Sequence, residues 1–168
     1  LLFEHKLLYG SKGARAESGS VDASSEIPAE DYVVPLGRGI VRREGGDVTI
    51  IATLLMMHRA LQAADRLAGD GIGVEVIDPR SLVPFDWDLV LASVRKTGRA
   101  VVVEEGPRTG GIGAEIAATL GERLSDYLVA PVRRVASPDI PAPFSPVMED
   151  FYRPTVERII AAVRTVME

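Results

Sequence analysis

Apolar residues along this chain alternate between short unbroken runs and stripes spaced three or four residues apart. The run VTIIATL at 48–54 has the length and density of a buried strand. Met57, Ala60, Leu61, Ala64, Leu67 and Ala68 then share one helical face, with Arg59, Gln62, Asp65 and Arg66 outside it. Gly69 and Gly71 stop that helix. VEVID at 74–78 predicts the next strand. Pro79 and Pro84 bracket a turn, and Asp86 is placed to cap a helix burying Trp87, Val90, Leu91 and Val94. AVVVE at 100–104 reads as another buried strand, Ile112, Ile116, Leu120 and Leu124 line the helix after it, and 132–136 makes a last strand.

At the margins the pattern weakens. Residues 36–43 predict a first strand that Gly37 and Gly39 confine to an edge or a bend. Pro138, Pro141, Pro143 and Pro146 are too many for regular structure. The closing helix carries Pro154 near its first turn and a stripe of Val156, Ile159, Ile160, Val163 and Met167. Strand–helix alternation with short connections predicts an α/β fold with right-handed crossovers and a largely parallel sheet covered on both faces. Residues 1–3 read as the end of a buried strand joined halfway, which predicts a fragment. Gly, Ser, Ala and charge without a period make 10–30 a linker between domains in preference to a long surface loop.

Composition narrows the function classes. The 168 residues suit one domain, with 46% hydrophobic and 26% charged positions in the range of ordinary globular proteins. A net charge of −5 with interleaved signs argues against a nucleic-acid footprint. Cysteine is absent, which excludes disulfides, thiolate metal sites and Cys nucleophiles. No apolar run reaches the roughly 18 residues of a membrane span, and LLFEHKLLYG lacks the features of a signal peptide.

Candidate chemistry gathers in EEGPRTGGIGAEI, 104–116, where a strand leads into a Gly-rich turn and a helix. Such a turn can offer backbone N–H groups to an anion. Alternatively, Gly110, Gly111 and Gly113 permit a tight turn and close packing; neither the Rossmann nor the P-loop fingerprint is met, and packing is the favoured reading. Glu104 and Glu105 stand at the carboxyl end of a parallel strand, where ligands gather in such folds. Successive strand residues point opposite ways, so one carboxylate bonding the turn is favoured over a cooperating pair. His58 follows a strand at the start of a helix. There it can act as an acid/base or anion ligand, but no partnering motif accompanies it, and a structural or interfacial role is favoured. His5 has no assignable role. Metal-ligand spacings and nucleophile motifs are missing.

Taken in order, FEHKLLYG, DVTIIAT…MMHRALQAA, VEVIDPRSLVPFD, SVRKTGRAVVVEEGPRTGGIGAEI and APVRRVASPDIPAPFSPVMED resemble the β subunits of pyruvate, acetoin and branched-chain 2-oxo acid dehydrogenase E1 components. The resemblance covers nearly all the chain apart from 10–30. It implies the transketolase C-terminal fold: three layers around a mostly parallel five-stranded sheet with one antiparallel edge strand. Residues 1–9 would then end a pyrimidine-binding domain, and 31–168 form the C-terminal domain. It further implies thiamine diphosphate and Mg²⁺ held outside this segment, with no catalytic, cofactor or metal residue inherited here. The implied partners are an E1 α subunit, a second β subunit and the subunit-binding domain of an E2 acyltransferase, in a cytoplasmic enzyme. Glu149, Asp150 and Glu168 are the candidates for E2 docking. The long Ser/Ala/Gly-rich insert leaves the choice among 2-oxo acids and acetoin open. Two alternatives are a stand-alone flavodoxin-like anion-binding module and a piece of transketolase or deoxyxylulose-phosphate synthase.

Overall fold

The structure, a computed structural model, describes residues 1–9, 21 and 23–168. Five strands, β1 (Ile40–Arg43), β2 (Val48–Ala52), β3 (Val74–Asp78), β4 (Ala100–Pro107) and β5 (Arg133–Ser137), form one sheet in the order β1-β3-β2-β4-β5. Pairing is parallel throughout except for β1, which runs antiparallel against β3 at the edge. Helices α1 (Leu54–Gly69), α2 (Trp87–Thr97), α3 (Ile112–Leu124), α4 (Pro146–Tyr152) and α5 (Val156–Met167) complete the domain. The α/β class and the antiparallel edge strand expected from the sequence are both present.

Strand alternation divides the core in two. Ile50, Ala52, Val76, Val101 and Val103 face α1 and α5. Ile51, Ile77 and Val102 face α2 and α3. Both sheet faces are therefore covered and largely apolar, which is why the central strands read as apolar-rich runs. Ala60, Ala63 and Ala64 of α1 are fully buried, and their small side chains bring that helix close to the sheet.

Several sequence expectations give way. Ala63, not Ala68, completes the buried stripe of α1, and Val166, not Met167, completes that of α5. The first strand starts at Ile40, because Gly37 turns the chain with φ +75°. Pro154 precedes the cap of α5, which Thr155 provides by accepting from the Arg158 N–H. The proline-rich stretch contains α4, begun by Pro146 at its first turn, where a missing N–H costs nothing. The strand expected at 1–3 belongs to a preceding domain; in this sheet those residues have no pairing strand and lie exposed. Lys6–Leu8 is a 3-10 turn, and Leu8 packs on the α1/α5 core. The linker expectation for 10–30 falls mostly outside the described residues; Val21 is buried in that same core, and 23–30 is irregular.

A buried polar network sits near the amino end of the sheet. Thr49 Oγ1 lies 2.7 Å from Ser93 Oγ and 2.8 Å from Thr97 Oγ1. Glu75, 2% exposed, accepts from Ser93 and from Lys96. Burial alone would raise the Glu75 carboxyl pKa, but the Lys96 and Ser93 hydrogen bonds outweigh it and hold it below the ordinary value. A depressed folded-state pKa contributes stability above the unfolded value of about 4.3, and that stability is lost as pH falls through the folded pKa. Glu75→Gln is therefore expected to cost about 1–3 kcal/mol at pH 7. Denaturant unfolding across pH 3–7 should show a flatter acid-side loss in the variant than in the parent.

Candidate functional site

In this fold the sequence of strands sets where a site can form. From β2 the chain crosses through α1 to β3 on one side, then returns through α2 to β4 on the other. Connections diverge at the carboxyl ends of β2 and β4, the place where open α/β sheets admit ligands. A cavity of about 20 Å³ lies there, lined by Thr53, Pro79, Leu82, Val102, Glu104 and Ile112 among others. Small-molecule sites run to roughly 300–1,000 Å³, so this space suits a water molecule and not a nucleotide or flavin.

Glu104 explains the closure. Its Oε2 accepts from the Gly113 N–H at 2.9 Å, in the first turn of α3, and its Oε1 accepts from Arg134 Nη2 at 2.8 Å. Carboxylate and helix terminus attract one another through the partial positive charge of the unpaired N–H groups. Glycine is required on both sides of the carboxylate. A Cβ on Gly111 would come within 2.4 Å of Oε2, and one on Gly113 within 2.3 Å of Oε1. Gly110 takes φ +75° to bring the chain round. Arg134 also donates to the Arg108 carbonyl, and Asp139 accepts from both the N–H and the hydroxyl of Thr109. Those two bonds from Thr109 hold the Asp139 carboxyl below its ordinary range. The anion cradle is thus filled by the chain's own anion.

Glu105 points the other way and meets His5, Nε2 to Oε2 at 2.7 Å. His5 Nδ1 accepts from the Leu7 N–H, so Nε2 carries the proton given to Glu105. His58 lies half-buried in the second turn of α1, beside Arg59, whose guanidinium donates to the Pro154 carbonyl. Burial and the Arg153 cation push the Arg59 pKa down from its ordinary value. Asp150 pairs with Arg153, and Glu149 is half-buried on α4. Glu168 is remote from both. It ends α5 close to Val166, whose carbonyl accepts from Arg99 at the amino end of β4, whereas α4 follows the carboxyl end of β5. The three acids do not form one patch.

Sequence reasoning missed two features. Arg134 sits in an otherwise ordinary edge strand, and nothing in RRVAS singles it out. Leu54 and Arg80 adopt left-handed backbone, φ 51° and 58°, directly beyond β2 and β3. Each such residue costs about 1–2 kcal/mol relative to an ordinary conformation. Around them Leu82, Val83 and Ile112 are exposed, so three successive strand–helix connections present apolar side chains. The carboxyl end therefore combines a closed interior with an apolar rim. Removing the Glu104 carboxylate should reopen the cradle: Glu104→Ala is expected to lose about 3–5 kcal/mol by stranding Arg134. Thermal melting should show formate restoring part of that loss in the variant while leaving the parent unchanged.

Comparison with known proteins matches this geometry to a family. Residues 37–159 match the family described as "Transketolase, C-terminal domain". The 2-oxoisovalerate dehydrogenase subunit beta of Bacillus subtilis is 41% identical over 100% of this chain and 48% of its own length. From the same organism, the acetoin:2,6-dichlorophenolindophenol oxidoreductase subunit beta is 40% identical over 95% of the chain and 43% of its own length. The pyruvate dehydrogenase E1 component subunit beta of Bacillus subtilis is 44% identical over 85% and 44%. A solved structure titled "Split gene transketolase, inactive beta4 tetramer" superposes with a TM-score of 0.73 at 35% identity, covering 87% of this chain and 47% of that one. The chain spans a little under half the length of these relatives. With the sheet order, the single antiparallel edge and the matched residues in agreement, the chain belongs to the transketolase C-terminal domain family.

Proposed function

We propose that this chain is the C-terminal assembly domain of the β subunit of a thiamine-dependent 2-oxo acid dehydrogenase E1. The observation that carries the reading is the self-filled cradle at Glu104, Gly111 and Gly113, rimmed by exposed apolar side chains. A surface of that kind engages protein and not a small anion. Identities of 40–44% to β subunits of three dehydrogenases support the assignment over a transketolase. At the carboxyl ends of β2 and β4 the cavity of about 20 Å³ has no room for a nucleotide-sized anion.

The described residues do not fit a thiamine diphosphate and Mg²⁺ site. The Gly-turn cradle already holds a carboxylate, and among the described residues no three His, Cys, Asp or Glu groups gather for a metal. Cofactor chemistry is therefore assigned to other polypeptide of the intact enzyme, with residues 1–9 closing a preceding domain, 10–30 linking, and 31–168 forming this one. The partners are an E1 α subunit, a second copy of this chain at the carboxyl rim, and an E2 acyltransferase. Among the E2-docking candidates, Glu168 stands apart from Glu149 and Asp150. No described helix is long and apolar enough to cross a membrane, in keeping with a cytoplasmic complex.

Purified alone, with thiamine diphosphate and Mg²⁺ supplied, the chain is expected to give no turnover of pyruvate, acetoin or branched-chain 2-oxo acids. The full-length subunit co-expressed with its α partner should decarboxylate a 2-oxo acid or cleave acetoin in a dye-reduction assay. Turnover by the isolated chain would overthrow the assignment.

A further inference from the structure

We propose that the hydrogen bond from His5 to Glu105 latches the entering chain to the carboxyl end of β4. The two are thereby positioning residues for the domain that residues 1–9 are proposed to close, and this role rests on the E1 reading above. Alternation along β4 sends neighbouring carboxylates to opposite faces of the sheet. Glu104 closes the Gly-rich turn on the α3 side, bonded to the Gly113 N–H and to Arg134. Glu105 emerges on the α1 side and meets His5 Nε2 at 2.7 Å, across 100 residues of chain. The Arg59 guanidinium of α1 lies near enough to feel the Glu105 charge. Only 16% of the His5 side chain and 31% of the Glu105 side chain are exposed, so the pair is sheltered from the solvent that weakens surface ion pairs.

His5 is prepared for this bond by its own turn. It caps the 3-10 turn Lys6–Leu8, where its Nδ1 accepts from the Leu7 N–H. That bond fixes the ring and leaves the proton on Nε2, facing Glu105. At the far end of the turn Leu8 packs against the α1/α5 core. A polar and an apolar contact therefore fasten the two ends of one short turn. Flanking residues lie open: Leu1, Leu2 and Phe3 are exposed before it and Tyr9 after it, and Tyr9 bonds Glu4 within the segment itself. Two fastenings on a stiff turn set a direction as well as a place. Whatever is joined ahead of the turn is held at one angle to the sheet. Misplacement by about 1 Å, from a change far from the chemistry, can cost an enzyme about 100-fold in rate.

Cleavage after Lys6 by a lysine-specific protease, followed by mass spectrometry, tests the latch on the chain, because the turn must lift before that bond can be cut. His5→Asn keeps an acceptor near the place of Nδ1 and loses the reach to Glu105, whereas His5→Gln keeps a donor that reaches. His5→Asn and Glu105→Ala should each speed cleavage about tenfold, the usual worth of a hydrogen bond to a charged group. His5→Gln should stay near the parent rate, as should Tyr9→Phe, which breaks a bond inside the segment. In the full-length subunit co-expressed with its α partner, His5→Asn should lower kcat and leave the substrate KM unchanged, and His5→Gln should restore kcat. Cleavage that His5→Asn and Glu105→Ala leave unchanged, or that Tyr9→Phe speeds equally, overturns the latch. Faster cleavage with unaltered kcat overturns the positioning role and leaves the E1 reading standing. A full-length parent that turns over none of pyruvate, acetoin and branched-chain 2-oxo acids overturns that reading, and the positioning role with it.

Discussion

One carboxylate organises the working end of this domain. Glu104 leaves the central sheet at the end of β4's buried segment, reaches into the first turn of α3 and is met there by Arg134 from β5. Its charge-assisted hydrogen bonds add to the backbone pairing of β4 with β5 and to the apolar packing of α3 on the sheet. The glycines of the turn follow from this contact: a side chain on Gly111 or Gly113 would occupy the space of the carboxylate. What resembles a ligand cradle in the sequence is a packing device.

Closing that cradle changes what the carboxyl end of the sheet can do. A doubly wound sheet normally leaves a crevice where its connections part, and here the crevice has room for about one water molecule. The surrounding loops carry Leu54, Leu82, Val83 and Ile112 outward, so the same end becomes an apolar surface. At the amino end the constraint differs. Glu75, Ser93, Thr49 and Thr97 satisfy one another inside the α2 layer, which fixes how that helix sits on the sheet. The proposed division of labour follows, with rigidity in the buried networks and association on the rim.

Much of the fold was legible because both sheet faces are covered. Apolar-rich runs at β2, β3 and β4 and stripes at α1, α3 and α5 leave little ambiguity, and Asp86 declared the start of α2. The misses have local causes. Pro146 looked like a breaker and is a helix starter, because position within the first turn decides its effect. At the site, Glu104 and the glycines were visible as a cluster, but Arg134 is 30 residues away from its partner and enters only through the β4–β5 pairing. Left-handed backbone at Leu54 and Arg80 leaves no trace in residue type, since neither is the glycine that such a conformation favours.

The central claim is that the Gly-rich turn is occupied from within and takes no outside anion. Backbone amide shifts of Gly110, Gly111, Gly113 and Ala114, followed by NMR while inorganic phosphate and then thiamine diphosphate are added to the chain, address it directly. The account predicts no saturable change at these amides, at concentrations where a cradle of free N–H groups would fill. A saturable shift centred on Gly113, lost on competition between the two anions, would contradict it.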